Sequence, residues 1–259
     1  MKSRIWVFTL TYNESHFVKN FLASYKDAER IVVYDNESSD NTVDLLKQDK
    51  RVEVRKNDSK GEIRDDLYLE IKNNCWKEAR GYADWVIIVD FDEIFTRAIE
   101  PDTFDLNLND LGYFHEMVDI IIPYGYMIYD TNMPMFQDFN PLKKPLSGVY
   151  DVNSEKPCCF RPERIQEINF APGCHSANPV CVNGLAPLNH CYPEFKLLHF
   201  KYVNIEVYFK RLDQYNKRMS QYNIDHGYGV HYTWPFEVHK ENYIRGLRDS
   251  KPLFEIEHP

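Results

Sequence analysis

The chain has 259 residues and is 43% hydrophobic and 27% charged, which supports a packed core and excludes wholesale disorder. With 31 Lys and Arg against 40 Asp and Glu the formal net charge is -9, which excludes a general nucleic-acid binder, since that needs a basic footprint. No run reaches the ~18 apolar residues of a membrane helix, and the apolar segment after Met1-Lys2-Ser3-Arg4 is too short for a secretory leader, so a cytoplasmic setting is expected.

Ile5 to Leu10 is a short apolar run that reads as a buried strand. Ser15 to Tyr25 places Phe17, Val18, Phe21 and Leu22 on one helical face. Arg30 to Tyr34 reads as a second strand, followed by a helix capped by Ser39 or Asp40 and carrying Val43, Leu45 and Leu46. Val52 to Arg55 is a third strand, and Glu62 to Arg80 a long helix with Ile63, Leu67, Ile71, Cys75 and Ala79 near helical spacing. Trp85 to Val89 is a fourth strand. This alternation predicts an α/β fold, with a mostly parallel sheet covered on both faces. Beyond it, Val118 to Tyr126 reads as a strand and Thr131 to Lys156 as a long mobile loop suited to a lid. Short strands are expected around 158–161 and 197–200, a helix over Ile205 to Tyr222 and a short one over Glu241 to Arg248. The six cysteines show no paired C-x-x-C spacing and are expected to be free thiols.

Ligands of parallel sheets bind beyond the carboxyl ends of the strands. Strand one ends in Thr11-Tyr12-Asn13-Glu14, strand two in Asp35-Asn36-Glu37-Ser38-Ser39-Asp40, strand four in Asp90-Phe91-Asp92-Glu93. Asp90 and Asp92 at i, i+2 in extended chain point to one side, and hard oxygen ligands of this kind suit Mg²⁺ or Mn²⁺. Neither a G-x-G-x-x-G nor a P-loop sequence is present.

In order and spacing these three blocks resemble the family 2-like glycosyltransferases, nearest to their bacterial polysaccharide-synthesis branch. The resemblance covers about the first hundred residues. It implies a GT-A fold built on a Rossmann-type sheet, a nucleotide-sugar donor and a divalent metal. Carried over residue by residue, it implies that Thr11, Asn13, Glu14 and Asp35 contact base and ribose. Arg64 and Asp65 would approach base and diphosphate, Asp90 ribose or a metal-bound water, and Asp92 the metal. A late histidine serves such enzymes as a further metal ligand, and His175 and His199 are the candidates. Asn36-Glu37 stands where Asp-Gly is commoner in the family. The downstream Glu-Asp pair that supplies the family's general base is absent, which leaves Asp138, Glu167 and Glu194 as base candidates.

Residues 1–100 are thus expected to form a nucleotide-sugar-binding half and 101–259 an irregular acceptor-binding half of the same domain, ending in helices. The expected activity is transfer, with inversion, from a nucleotide-diphosphate sugar to a saccharide or lipid-linked acceptor. Lys210, Arg211, Lys217 and Arg218 form a basic group that could face anionic lipid, giving a peripheral membrane contact, or lie on a solvated helix face. Cys174, His175, Cys181, His190 and Cys191 could form a structural zinc site, although their spacing lacks the usual knuckles. A nucleotidyltransferase is the alternative enzyme class, but Thr9 to Glu14 has neither glycine nor base for a phosphate loop. A carbohydrate-binding module is the non-enzymatic alternative.

Overall fold

A computed structural model of the chain describes residues 3–100, 103–104, 111–114, 118–129, 146–190 and 194–256. Strands β1 (Ile5–Thr11), β2 (Arg30–Asp35), β3 (Val52–Lys56) and β4 (Trp85–Ile88) are linked through α1 (Val18–Ser24), α2 (Thr42–Leu46) and α3 (Asp65–Asn74). They run parallel in the order β3-β2-β1-β4, because each crossover carries a helix that returns the chain to the same end of the sheet, and the last crossover passes β2 and β1 to place β4 on the other side of β1. Both faces are covered. Ile5, Val7, Ile31, Val33 and Ile87 point into one core with Phe17, Val18 and Phe21 of the α1 region. Trp6, Phe8, Val32, Val86 and Ile88 point into a second core with Trp76 and Phe160. The period of two that separates these sets is the pleat of a sheet buried on both sides.

The later chain is more regular than its sequence suggests. It supplies β5 (Glu93–Glu100), β6 (Thr103–Phe104), α4 (Leu111–Phe114), β7 (Ile120–Ile121), β8 (Tyr124–Ile128) and β9 (Ser147–Tyr150). Then follow β10 (Cys159–Phe160), β11 (Ile165–Glu167), β12 (Val180–Cys181), β13 (Asn189–His190), β14 (Phe195–His199), α5 (Ile205–Arg218), α6 (Gln221–His226), α7 (Phe236–Asp249) and β15 (Lys251–Pro252). β10 lies antiparallel beside β4 and extends the first sheet to seven strands, with β7 and β13 beyond it. A second sheet has the order β15-β9-β8-β14-β5-β6. It packs into the first core through Ile94, Tyr126 and Leu197.

Several boundaries differ from expectation for local reasons. Pro123, which has no N–H to give a ladder, separates β7 from β8 within the single strand expected over 118–126. The helix expected from Glu62 starts at Asp65, because the Ile63 backbone is already bound. Its N–H donates to the Arg218 carbonyl (2.8 Å), and its carbonyl accepts from Ser220 Oγ (2.6 Å). Past Asn74 that helix tightens into a 3₁₀ turn over Cys75–Ala79. The helix expected over 205–222 is two, divided where Ser220 caps α6 by accepting from the Asn223 N–H (3.2 Å). The expected loop over 131–156 contains β9 and a 3₁₀ turn at Val152–Ser154, and its earlier part, 131–145, lies outside the described residues. Among the described residues no helix is long and apolar enough to cross a membrane. Cys75, Cys158, Cys159, Cys174 and Cys181 are free and buried, as expected, and Cys191 lies outside the described residues.

Candidate active site

The ends of β1, β2 and β3 bring together polar atoms that no described residue satisfies. Thr11 pairs in register with Asp35, and Asp35 with Lys56 beside Asn57. Asp35 Oδ2 accepts from the Ser38 N–H (3.0 Å), while its Oδ1 is buried without a hydrogen-bond partner. Thr11 Oγ1 and Asn57 Nδ2 are in the same condition. Each such atom costs about 1–3 kcal/mol, so a row of them on one sheet edge is suited to a polar ligand. Asn13 lies in the left-handed region (φ 54°) and ties two loops together. Its Oδ1 accepts from the backbone of Ser39 (2.7 Å) and Asp40 (3.2 Å). Asn36, where the sequence departs from Asp-Gly, is a packing hub. It donates to the Glu62 carbonyl (2.8 Å) and Tyr68 hydroxyl (2.7 Å) and accepts from Ser59 Oγ and the Gly61 N–H (3.1 Å).

The acidic run after β4 is embedded in cations from distant sequence. Asp90 keeps 41% of its side chain accessible, yet it pairs with Lys72 Nζ (2.5 Å) and Lys156 Nζ (3.4 Å), both buried. Burial would raise the Asp90 carboxyl, but Lys156 and Lys72 outweigh it and hold it well below the usual carboxylate range. Glu93 is buried, takes Lys156 at 2.7 Å and accepts from the Asp90 N–H (2.8 Å). Asp92 is buried as well. One of its oxygens, Oδ2, meets His199 Nε2 at 3.2 Å and Arg211 Nη1 at 2.7 Å. Against the burial penalty, Arg211 and then His199 hold Asp92 ionised.

Arg211 also reaches Glu14 Oε1 (3.0 Å) and donates to the Tyr215 hydroxyl (2.9 Å). Burial, opposed by Arg211 and reinforced by Asp92, pushes the Glu14 carboxyl up to about 8. His16, with Nε2 3.3 Å from Glu14 Oε2, is pushed down to about 4 by burial and by Arg211, so it is neutral at pH 7. Arg211, Tyr215 and Arg218 lie at i, i+4 and i+7 on one face of α5. Arg218 stacks over the Tyr12 ring (3.2 Å to the centroid) and donates to the Gly61 carbonyl (2.5 Å). The basic group expected on this helix is therefore divided: Lys210 and Lys217 face solvent, while Arg211 and Arg218 turn inward across the strand ends.

The sequence-derived candidates fall into three groups. Thr11, Asn13, Glu14, Asp35, Asp90, Asp92 and His199 gather at the strand ends, Asn13 with its Oδ1 committed to the Ser39 and Asp40 backbone. Arg64 and Asp65 open α3 beside them, but Arg64 is held bidentate by Asp66 (2.9 and 2.7 Å) and lies over the Tyr222 ring. Asp65 is held through its N–H by Asn223 Oδ1 (3.0 Å). The remaining candidates stand apart. His175 is exposed with Nδ1 2.5 Å from the Asn153 carbonyl. Glu167 is paired with Lys77 (2.6 Å). Glu194 lies 3.9 Å from Arg97 at the start of β14, about 16 Å along the chain from His199 at its end. Asp138 lies outside the described residues. Lys72, Lys156 and His16 are not among the residues the sequence singles out, and Arg211 is singled out there only as part of a basic surface group. Of the three, Lys72 has a signal, one helical heptad after Asp65 on α3. Among the described residues no group of three or more His, Cys, Asp or Glu is arranged to hold a metal ion, neither the expected ligands Asp90, Asp92, His175 and His199 nor the zinc alternative of Cys174, His175 and Cys181, so any cation at Asp92 and His199 would need ligands from substrate or water.

The family model of glycosyltransferase family 92 matches residues 7–228. The chain belongs to this family. The family 92 chain thus carries the resemblance to glycosyltransferases at the level of the class, under a different family number from the one its motifs suggest. No curated protein matches its sequence significantly. Among solved structures the family 92 chain is similar to glucosyl-3-phosphoglycerate synthase from Mycobacterium tuberculosis in complex with Mn²⁺, uridine-diphosphate-glucose and phosphoglyceric acid. That match has 16% identity over 67% of this chain and 62% of that one, with a TM-score of 0.37. The same synthase with Mn²⁺, uridine-diphosphate and glucosyl-3-phosphoglycerate matches at 14% identity over 48% of this chain, with a TM-score of 0.32. The family 92 chain spans 44% of the length of that structure.

Proposed function

We propose that this chain moves a sugar from a nucleotide-diphosphate sugar to a saccharide or lipid-linked acceptor, by an inverting displacement assisted by Mn²⁺ or Mg²⁺. The observation that carries this reading is the Asp92–His199–Arg211 constellation beside the unsatisfied atoms of Thr11, Asp35 and Asn57. In this reading Asp35 and Asn57 bind the nucleoside, an acceptor and a donor on adjacent strand ends. The diphosphate lies along the Asp90–Asp92 edge. A buried carboxylate with an imidazole nitrogen 3.2 Å away is a donor set that suits Mn²⁺, and Asp92 and His199 would hold it. Substrate phosphate oxygens and water commonly complete such sites. When bound, the cation supplies Lewis-acid neutralisation of the departing diphosphate. Arg211 and Arg218 add fixed positive charge on the same side, and Lys72 and Lys156 keep Asp90 ionised and oriented. A lipid-linked acceptor would suit polysaccharide synthesis at the cytoplasmic face of a membrane.

A thermal-shift screen of nucleotide sugars with Mn²⁺ and with chelator tests this. A ligand present at 100 times its Kd stabilises the native state by about 2.7 kcal/mol. We expect one nucleotide class to raise the melting midpoint with Mn²⁺ and to lose most of that effect in chelator, with nucleoside diphosphate released on turnover. No shift with any nucleotide sugar would overturn the proposal. A sugar-dependent shift indifferent to chelator and nucleotide would favour a binding module.

A further inference from the structure

Lys72, Lys156 and Arg211 each meet carboxylates at the strand ends. Lys201 does not. It is half-buried and, among the described residues, makes neither a hydrogen bond nor an ion pair. Its place is set by the chain, since the N–H of the preceding Phe200 donates to the Asp92 carbonyl (2.8 Å) and His199 contacts the Asp92 carboxylate. The Lys201 Nζ lies between two rings, 5.6 Å from the centroid of Tyr202 and 5.7 Å from that of Tyr232. Tyr232 packs on Tyr215 with centroids 4.7 Å apart, and the Tyr215 hydroxyl accepts from Arg211 (2.9 Å). This ring pair connects Lys201 to Arg211. Of the charges around Lys201, Arg211 acts on it most, ahead of Asp92 and Asp151.

Lysine is seldom taken out of water without a partner. Tyrosine rings attract an ammonium through their faces but leave its N–H groups available to an anion. Two further donors at the site are unspent, because Arg211 Nε and Arg218 Nη2 are buried without hydrogen-bond partners. Three cations with spare N–H groups suit a ligand with many anionic oxygens, which a diphosphate is and a single carboxylate is not. Strand order decides which phosphate Lys201 meets. β2 and β4 flank β1, so the Asp35 edge stands two strand spacings, or about 10 Å, from the end of β4. A nucleotide whose nucleoside occupies the Asp35–Asn57 edge reaches toward β4 with its phosphates. Arg218, over Tyr12 just after β1, lies at the nucleoside end of that line. Lys201, beside the Asp92 backbone, lies at the β4 end, where the terminal phosphate arrives.

We propose that Lys201 binds the β-phosphate of the nucleotide sugar, the group that departs, a proposal that rests on the reading of the chain as a nucleotide-sugar transferase. In transfer the acceptor hydroxyl oxygen bonds to the anomeric carbon. The bond from that carbon to the β-phosphate oxygen breaks with its electron pair left on the phosphate, and the hydroxyl proton is released to solvent. Lys201 holds the phosphate on which that charge collects. The test is calorimetry on the full chain with Mn²⁺, using the mono- and diphosphates of adenosine, cytidine, guanosine, uridine and thymidine. In the wild type the diphosphate of one base should bind more tightly than its monophosphate. Lys201→Met should weaken that diphosphate about tenfold and leave the monophosphate unchanged, while Lys201→Arg keeps most of the preference. A melting curve on each sample reports folding, and Lys201→Gln is a second neutral variant. Equal losses for both nucleotides mark a merely structural lysine and overturn the proposal, as does a preference absent from the wild type or unmoved in the folded neutral variants. If the wild type binds none of these nucleotides, the donor reading falls and Lys201 with it. Nucleotide binding with the preference unmoved removes the Lys201 assignment alone.

Discussion

Arg211 meets two carboxylates at once, and that sharing governs what substitutions at this site should do. Asp92→Ala leaves Arg211 buried with Glu14 alone, and breaking a buried pair typically costs about 3–5 kcal/mol. We expect Asp92→Ala to lower the denaturation midpoint markedly. Asp92→Asn, which keeps the shape, should stay folded yet lose about 10²–10³-fold in kcat, as removal of one preorganised electrostatic group does. Steady-state assays on the folded Asn variant check this. Asp35→Ala should weaken nucleotide affinity in calorimetry more than it lowers the saturated rate, because a base or ribose contact is alike in ground and transition states. Glu14 carries a pH signature. Unfolded, it titrates near 4.5, and folded near 8, so between those values only the native state keeps the proton. Stability should therefore fall as pH rises through that window and level off above it. Melting midpoints from about pH 5 to pH 8 should decline less in Glu14→Gln than in wild type. The acidic half of this site is legible in the sequence because carboxylates directly after an apolar strand must lie at a sheet edge. Its basic half is not, since Lys72, Lys156 and Arg211 meet Asp90 and Asp92 from 18, 66 and 119 residues away.

At the scale of elements, α5 is the piece that closes the site, and its start is set by one side chain. Asn204 Oδ1 accepts from the N–H groups of Glu206 and Val207, both at 3.0 Å. Asn204→Ala should cost about 1 kcal/mol, read as a lower urea midpoint with an unchanged m-value. Nucleotide affinity should fall with it, because Arg211 and Arg218 ride on this helix. Three of the four parallel strands, β1, β2 and β4, are legible from apolar runs of four to six residues, β3 only from its Val52-Glu53-Val54-Arg55 alternation, and the helices between them from their periodicity. The second sheet is not. Its strand β8, Tyr-Gly-Tyr-Met-Ile, contains a glycine that only packing explains, since a Cβ on Gly125 would stand 2.5 Å from the Asp151 carbonyl oxygen. The break between α5 and α6 is equally illegible, because it is made by Ser220 and Ile63, 157 residues apart.

For the whole molecule, strands from before and after residue 100 share both sheets. β10 completes the first sheet beside β4, and β5 finds its partner in β14. A fragment of residues 1–100 would expose the β4 edge and the apolar face beneath the second sheet. We expect it to lack the cooperative melting transition of the full chain by circular dichroism.

The long sequence separation of the buried ion pairs has a consequence during synthesis. A ribosome adding about 5–20 residues per second reaches Arg211 about 6–24 s after Asp92, which lies 119 positions earlier. Through that interval the nascent acidic segment has no guanidinium to accompany it out of water, and Glu93 must wait likewise for Lys156. The parallel sheet can begin to form on the emerging chain, but its charged edge must stay hydrated and open until α5 has been made. The segment that carries α5 therefore decides when the charged edge beyond β4 can close.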